Sequence, residues 1–253
     1  MGNRIALISV DNIETFENPD LKWKELYVEG GEKVAEKTAE AIALMKEYYN
    51  ALIVNVFESH PKGHISFASS YKDRKPFSTI TLAEVESWTD NDHGLSIDAS
   101  FTVKQLKDYL RGCPDQQDTL RPDHAMASTK SAGLMLPLTS DMFDLDIVKW
   151  DQVDKHPYGA FGSQEKWDDT GLEALLKEKG IGTVVLTGVA TDFCLGQTAW
   201  EALARGFKVV ILTDAIAGID AEQSAKTLKD LKATPWVILT TVDQLKEAFC
   251  FIQ

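Results

Sequence analysis

Cysteine is scarce in this sequence, and the cysteines that are present lie far apart. Cys113, Cys194 and Cys250 are the three cysteines in a chain of 253 residues. A disulfide framework or a cysteine-based zinc site needs an even number of cysteines or closely spaced pairs. The sequence therefore argues against both, and it favours a protein of the reducing cytoplasm.

Positive charge and long apolar runs are also lacking. Lys and Arg number 26 against 39 Asp and Glu, so the formal net charge is −13. This excess of negative charge repels phosphate backbones and anionic membrane surfaces. No stretch approaches the roughly 18 consecutive apolar residues of a membrane-spanning helix, and no charged leader precedes an apolar run at the start. We therefore expect no nucleic-acid partner, no membrane partner and no processing.

The sequence does contain an alternation of short apolar runs and amphipathic stretches. Hydrophobic residues make up 44% of the chain, which is enough for one large core. The apolar runs predict strands at 5–10, 51–57, 145–148, 183–187, 207–213 and 236–239. The amphipathic stretches predict helices at 32–49, 102–110, 171–179, from about 192 onward, 221–231 and 242–249. Because strands separated by helices pair in parallel, we predict an α/β fold with a mainly parallel six-stranded sheet.

The regular alternation is lost between about 65 and 124. Polar and turn-forming runs such as 69–75 and 88–94 dominate there. Long loops inside compact domains are usually functional or mobile. We interpret this region as an excursion over the active-site end of a single domain spanning 1–253, because no repeat, low-complexity tract or linker marks a boundary.

A tight turn joins a buried strand to a helix around Cys194. The apolar run 184–186 has glycine on both sides, and helical spacing of apolar residues begins near Asp192. Cys194 therefore falls in the first turn of the helix, where free N–H groups and the helix dipole favour a thiolate. Taken alone, a cysteine such as Cys194 is more often a small buried hydrophobic residue than a nucleophile.

Two further side chains follow or end predicted strands in the same way. Asp11 follows the first strand, and Lys149 follows the strand at 145–148. The carboxyl ends of parallel strands lie along one edge of a sheet, so these residues can meet Cys194 there. Individually, Asp11 could cap a turn and Lys149 could be solvated. Together the three supply a nucleophile, a proton acceptor and a cation that stabilises a thiolate.

A second cluster combines one carboxylate with imidazoles. Glu58, His60 and His64 follow the strand at 51–57, and His124 lies in a Pro-Asp-His turn. This set suits a zinc, iron or manganese ion that keeps water in its open positions. Each histidine by itself could also be an ordinary surface residue.

The motifs that hold these residues resemble those of the isochorismatase-like cysteine hydrolases, and within them the nicotinamidases (pyrazinamidases) of the eukaryotic, fungal type. The resemblance covers most of the chain. Its matching stretches are Val10-Asp11 with Phe16, 26–31, 58–68 continuing to 79, Pro122-Asp-His124, Lys149 with 158–161, and 188–194, the last being the most specific.

The resemblance implies a three-layer α/β/α, Rossmann-like fold and a role for each matched residue. Cys194 would be the nucleophile, Asp11 the general base and Lys149 the cation beside them. A cis peptide between Val189 and Ala190 would turn the Ala190 N–H toward the N–H of Cys194, so that the two form an oxyanion hole. The further roles it implies are substrate contact for Phe16 and Tyr158, and metal binding for Glu58, His60, His124 and, as the least certain ligand, His64.

The resemblance also implies one divalent metal ion, with zinc as the first choice and iron or manganese as alternatives. His64 could bind this metal, reach it through a water, or brace the loop. A small amide would be the substrate, and a homo-oligomer is compatible with the pattern.

The sequence departs from the family pattern at several positions. Glu58 stands where the family usually has Asp, so its carboxylate is one methylene longer. Ile13 replaces the usual Gln, and Ala125 stands where a Cys commonly follows the histidine. Arg121 replaces a Trp that often precedes Pro-Asp-His, and its guanidinium could recognise a substrate carboxylate.

The leading hypothesis is therefore a cytoplasmic, metal-dependent amidohydrolase that converts nicotinamide to nicotinate and ammonia in NAD salvage. A second hypothesis is the same chemistry on another small amide or carbamoyl compound, which Arg121 motivates. A third is a catalytically silent binding protein, motivated by the altered residues Glu58, Ile13 and Arg121.

Overall fold

The computed structural model describes residues 4–21, 25–155, 158–162 and 169–245. Its centre is a six-stranded sheet with the order β5-β2-β1-β6-β7-β8, in which every neighbouring pair is parallel. A separate antiparallel pair, β3 and β4, lies outside it. The strands are β1 (Arg4–Val10), β2 (Leu52–Glu58), β3 (Thr79–Thr81), β4 (Gln117–Thr119), β5 (Leu145–Lys149), β6 (Ile181–Val189), β7 (Lys208–Ala217) and β8 (Val237–Thr240).

Helices cover both faces of the central sheet. The α-helices are α1 (Glu14–Glu17), α2 (Gly31–Tyr49), α3 (Leu82–Val85), α4 (Val103–Gly112), α5 (Leu172–Glu178), α6 (Cys194–Ala204) and α7 (Ala221–Lys232). No helix within the described ranges is long and apolar enough to cross a membrane.

Successive side chains of a strand point to opposite faces of the sheet, and this divides the core into two halves. On β1, Ile8 packs in the cluster that contains residues of α5, α6 and α7, whereas Leu7 packs in the cluster that contains residues of α2. Every residue of β6 is buried, because this central strand is covered on both faces. The result is the predicted three-layer α/β/α arrangement, and the predicted parallel six-stranded sheet is confirmed.

The excursion has a small apolar core of its own. Ile65, Ile80, Leu106 and Leu120 are fully buried within it. A capping box between Thr102 and Gln105 starts α4, whose predicted position is confirmed. The excursion is therefore a packed structure that lies beside the sheet.

Most predicted elements agree with the structure to within a few residues, and β7 is the main exception. It continues to Ala217, beyond the predicted end at residue 213, because its pairing with β6 resumes after a register shift, where Gly188 lies opposite Ile216. The predicted helix at 242–249 extends beyond the described residues, and Cys250 lies outside them.

Candidate active site

The carboxyl ends of four neighbouring strands bring the candidate residues together. β1 ends immediately before Asp11, β2 ends on Glu58, and β5 ends on Lys149. Glu58 and Lys149 are direct register partners across the parallel pair β2 and β5. β6 ends just before the turn that leads to Cys194. These side chains lie at one edge of the sheet, where open α/β sheets bind their ligands.

Gly188 allows β6 to approach β1 closely at this edge. Its φ is +114°, and a Cβ at this position would lie 1.9 Å from the backbone oxygen of Val10. Only glycine fits such a conformation and such an approach. The close contact places Gly188, from which the chain continues to Cys194, beside Val10, which directly precedes Asp11.

Lys149 is a buried ammonium surrounded by oxygen atoms. Its Nζ lies 2.7 Å from Asp11 Oδ2 and 3.3 Å from Glu58 Oε1, and it donates a hydrogen bond to the Tyr158 carbonyl at 3.1 Å. Burial by itself lowers the pKa of Lys149, but the acidic groups Asp11, Cys194 and Glu58 around it together outweigh burial, and the net shift is upward. Lys149 therefore stays charged.

Asp11 is fully buried and firmly held. Its Oδ1 accepts a hydrogen bond from the Glu58 N–H at 3.0 Å. Burial raises the pKa of Asp11 to about 7, although the charge of Lys149 opposes the shift. A carboxyl group with such a pKa can accept and return a proton near neutral pH.

Cys194 is the first residue of α6 and is buried. Its thiol donates to Glu58 Oε1 at an Sγ–Oε1 distance of 3.6 Å, and a carboxylate oxygen of Asp11 lies within 4.8 Å of Sγ. Burial raises the pKa of Cys194 well above its usual value, although Lys149 opposes this. In this fold, desolvation therefore opposes the thiolate that the position at the helix terminus favours.

The backbone beside Cys194 has the expected unusual geometry. The Val189–Ala190 peptide bond is cis. The first N–H groups of a helix have no acceptor within the helix, and Cys194 supplies one of them. The predicted oxyanion-hole residues Val189, Ala190 and Cys194 thus lie in one turn.

Glu58, His60 and His124 form a compact group of metal-binding side chains. Glu58 Oε2 lies 3.2 Å from His60 Nε2 and 3.3 Å from His124 Nε2, and the donor atoms all lie within 4.8 Å of one another. All three side chains are buried. One carboxylate and two imidazoles converging on a point are typical ligands of a divalent transition metal.

The imidazole hydrogen bonding also fits a metal ion. His124 Nδ1 lies 2.8 Å from the Pro122 carbonyl, so it carries the proton and leaves the Nε2 lone pair directed at the group. Burial lowers the pKa of His60 to about 4, which keeps this imidazole neutral, as a ligand must be. The residues present are therefore suited to a divalent metal.

The structure does not bring His64 into this group. Its Nδ1 lies 2.9 Å from Ser66 Oγ, and its Nε2 lies 3.1 Å from the Gln152 carbonyl. Both nitrogens are thus used in hydrogen bonds, one within the loop after β2 and one that joins this loop to the loop after β5. Of the three roles considered for His64, this geometry fits bracing of the loop.

A cavity of about 270 Å³ opens in front of Cys194. The predicted substrate contacts Phe16 and Tyr158 both line it, as do Cys194, Glu58 and His124. Trp150, which the sequence reasoning missed, is a further wall and is 2% exposed. The signal that could have found it is its position directly after Lys149, at the carboxyl end of a strand.

Arg121 also lines this cavity, but its charge is already paired. Its Nη1 lies 3.1 Å from Asp118 Oδ2, and Asp118 is a second lining residue that sequence reasoning missed.

Comparison with known proteins agrees with the fold and the site. A family model described as Isochorismatase domain matches residues 144–244. A nicotinamidase of Acinetobacter baylyi is 31% identical over 172 residues, which are 68% of this chain and 66% of that protein. A nicotinamidase of Schizosaccharomyces pombe is 25% identical over 244 residues, which are 96% of each protein. This chain belongs to the isochorismatase family.

Solved structures show the same likeness in three dimensions. An Acinetobacter baumanii nicotinamidase pyrazinamidase superposes with a TM-score of 0.71 and 26% identity, covering 96% of this chain and 98% of that chain. A pyrazinamidase of Pyrococcus horikoshii in complex with zinc superposes with a TM-score of 0.63 and 27% identity, covering 94% and 99%. The relatives and neighbours described here are thus nicotinamidases or pyrazinamidases.

Proposed function

We infer that this chain is a nicotinamidase, a metal-dependent cysteine amidohydrolase that converts nicotinamide to nicotinate and ammonia in NAD salvage. The observation that carries this inference is the position of Glu58. One of its oxygens faces Cys194 and Lys149, and the other faces His60 and His124. A thiol centre and a metal-binding group therefore share one cavity, in a chain whose relatives are named nicotinamidases.

The proposed reaction begins with proton transfer from Cys194 to Asp11. The sulfur then attacks the carboxamide carbon, and the resulting oxyanion accepts hydrogen bonds from the N–H groups of Ala190 and Cys194. Protonated Asp11 gives its proton to the departing ammonia as the C–N bond breaks, which leaves a thioester. Water attacks the thioester while Asp11 takes its proton, and that proton returns to the sulfur as the acid leaves. Lys149 stays protonated throughout and balances the negative charge that moves between Asp11 and Cys194.

Glu58, His60 and His124 would hold the metal, which we propose to be zinc, with iron or manganese as alternatives. The zinc complex of the Pyrococcus horikoshii pyrazinamidase supports this choice. When bound, a divalent metal supplies a Lewis-acid site for a ring nitrogen of the substrate. Phe16 and Trp150 would then enclose the flat ring between apolar surfaces.

The structure does not favour the alternative substrate class, another small amide or carbamoyl compound recognised by Arg121. A carboxylate-bearing amide would need a free Arg121, yet the guanidinium is occupied by Asp118. The silent binding protein is also disfavoured, because Asp11, Lys149 and Cys194 lie together at the cavity.

We further propose that residues 1–253 work as one domain, because residues at the carboxyl edge of the sheet and residues of the excursion line the same cavity. A cytoplasmic location, suggested by the few cysteines, stays a prediction.

Replacement of the nucleophile tests this function. Cys194→Ala removes the attacking sulfur, so ammonia release from nicotinamide should fall by at least about a thousandfold. Cys113→Ala is the matched control, because Cys113 lies in the excursion after α4 and does not line the cavity. Turnover is measured on both variants with circular dichroism as the check of folding. A folded Cys194→Ala protein that keeps wild-type turnover would contradict the mechanism.

A further inference from the structure

Arg121 is held at the cavity wall by a dense set of acceptors. Nη1 donates to Asp118 Oδ2 at 3.1 Å and to the Thr119 carbonyl at 2.9 Å. Nη2 donates to Asp118 Oδ1 at 3.3 Å and also to the Tyr158 hydroxyl oxygen. The four terminal N–H groups of the guanidinium therefore have acceptors within the protein, and these edges are not offered to a ligand.

Asp118 is equally well held. It is buried, and its Oδ2 accepts a hydrogen bond from the Tyr109 hydroxyl at 2.7 Å. Its Oδ1 accepts the Thr119 N–H at 2.8 Å. Residues of α4 and β4 in the excursion thus hold the Asp118 carboxylate in place, and this carboxylate in turn positions the Arg121 guanidinium.

The guanidinium lies over two aromatic rings of the cavity wall. The Arg121 Cζ lies 5.7 Å from the centre of the Trp150 ring and 5.3 Å from that of Tyr158. Arg121 therefore fills, in shape, the place of an aromatic side chain at this cavity, while Asp118 supplies the opposite charge.

Charge matters here because the proposed reaction changes the charge of its ligand. The carboxamide enters neutral, and the acid leaves as an anion. An unpaired guanidinium at the wall of a partly enclosed cavity would attract that anion, since charges interact more strongly there than in bulk water. The same guanidinium would gain little from the neutral amide.

We propose that Asp118 is a specificity-determining residue that cancels the charge of Arg121 at the cavity wall, so that the site accepts a neutral heteroaromatic carboxamide and releases its carboxylate product. This proposal rests on the proposed function. It assigns Arg121 the role of a flat wall and not that of a carboxylate receptor.

The test compares product and substrate binding in Asp118→Asn. Asparagine keeps a similar shape and one acceptor oxygen but removes the negative charge. We expect the ratio of the inhibition constant of nicotinate to the KM of nicotinamide to fall by about tenfold. A ratio is measured because general damage to the cavity would weaken both ligands together, whereas an uncovered cation favours only the anion.

Two further variants give the sign of the effect. Arg121→Gln leaves Asp118 uncovered, so the same ratio should rise. The double variant Asp118→Asn with Arg121→Gln removes both charges, and its ratio should return toward that of the wild type. Ratios that move in the same direction in both single variants would overturn the proposal.

The wild-type enzyme supplies a measurement that does not depend on any variant folding. With Arg121 neutralised, nicotinate should inhibit weakly, with an inhibition constant above the KM of nicotinamide. A value below the KM would overturn the proposal. Absence of nicotinamide turnover in metal-loaded wild-type protein would instead refute the proposed function, so the two failures are distinguishable.

Discussion

At the scale of single residues, Glu58 connects two kinds of chemistry. Its Oε2 faces the two imidazoles of the metal-binding group, and its Oε1 faces Cys194 and Lys149. Burial by itself would raise the pKa of Glu58, but the charge of Lys149 and the contacts with the two imidazoles hold it well below its usual range. Glu58 is therefore ionised in its buried position, as a metal ligand must be.

Glu58→Gln tests the metal-binding role. The substitution keeps the length of the side chain and removes its charge, so metal affinity should fall by at least about tenfold. Metal content per chain after dialysis against a weak chelator is the measurement. Glu86→Gln is the control, because Glu86 lies on the surface after α3. Equal metal retention in Glu58→Gln and wild type would show that Glu58 is not a ligand.

At the scale of elements, the junction of β1 and β6 determines where the reactive side chains lie. Gly188 packs against the Val10 backbone at a distance that leaves no room for a Cβ. The pattern of apolar residues predicted both strands. How closely the ends of β1 and β6 approach each other depends on how the two strands pair in the sheet, which the pattern does not show.

Gly188→Ala should therefore be strongly destabilising. We expect the free energy of unfolding to fall by more than about 3 kcal/mol, because both the backbone conformation and the space disfavour a side chain. Gly171→Ala is the matched control, since Gly171 also has a positive φ, of +77°, but no atom within 4 Å of the position that a Cβ would take.

The control substitution should cost only about 1–2 kcal/mol, which is the cost of the backbone conformation alone. Urea unfolding of both variants measures the difference. Equal losses of stability would mean that the Val10 contact relaxes without cost.

At the scale of the whole molecule, metal binding should be linked to stability. The candidate ligands come from the end of β2, the loop that follows it and the excursion, so a bound metal joins the sheet to the excursion. A ligand that binds only the folded state stabilises it by about 4 kcal/mol at a thousand times its Kd.

Chelation should therefore lower the Tm of the wild-type protein, and added zinc should restore it. His60→Asn, which removes one ligand, should show a much smaller response to the chelator at the same protein concentration. Differential scanning calorimetry checks both. An unchanged wild-type Tm after complete removal of the metal would contradict a linking role.

The sequence by itself determined the fold class, the positions of the strands along the chain and the residue types at the strand ends. These follow from the periodicity of apolar residues and from short motifs, because local backbone geometry fixes both. Asp11, Lys149 and Cys194 could be expected at one edge of a parallel sheet for the same reason, while their catalytic roles stay predictions.

Only the tertiary structure decided which atoms face one another. It gave Glu58 two sets of partners, kept His64 in hydrogen bonds between loops, placed Trp150 at the cavity and neutralised Arg121 with Asp118. It also showed that burial opposes a resting thiolate at Cys194. Such outcomes depend on desolvation and on contacts between distant segments, and neither is a property of a local sequence pattern.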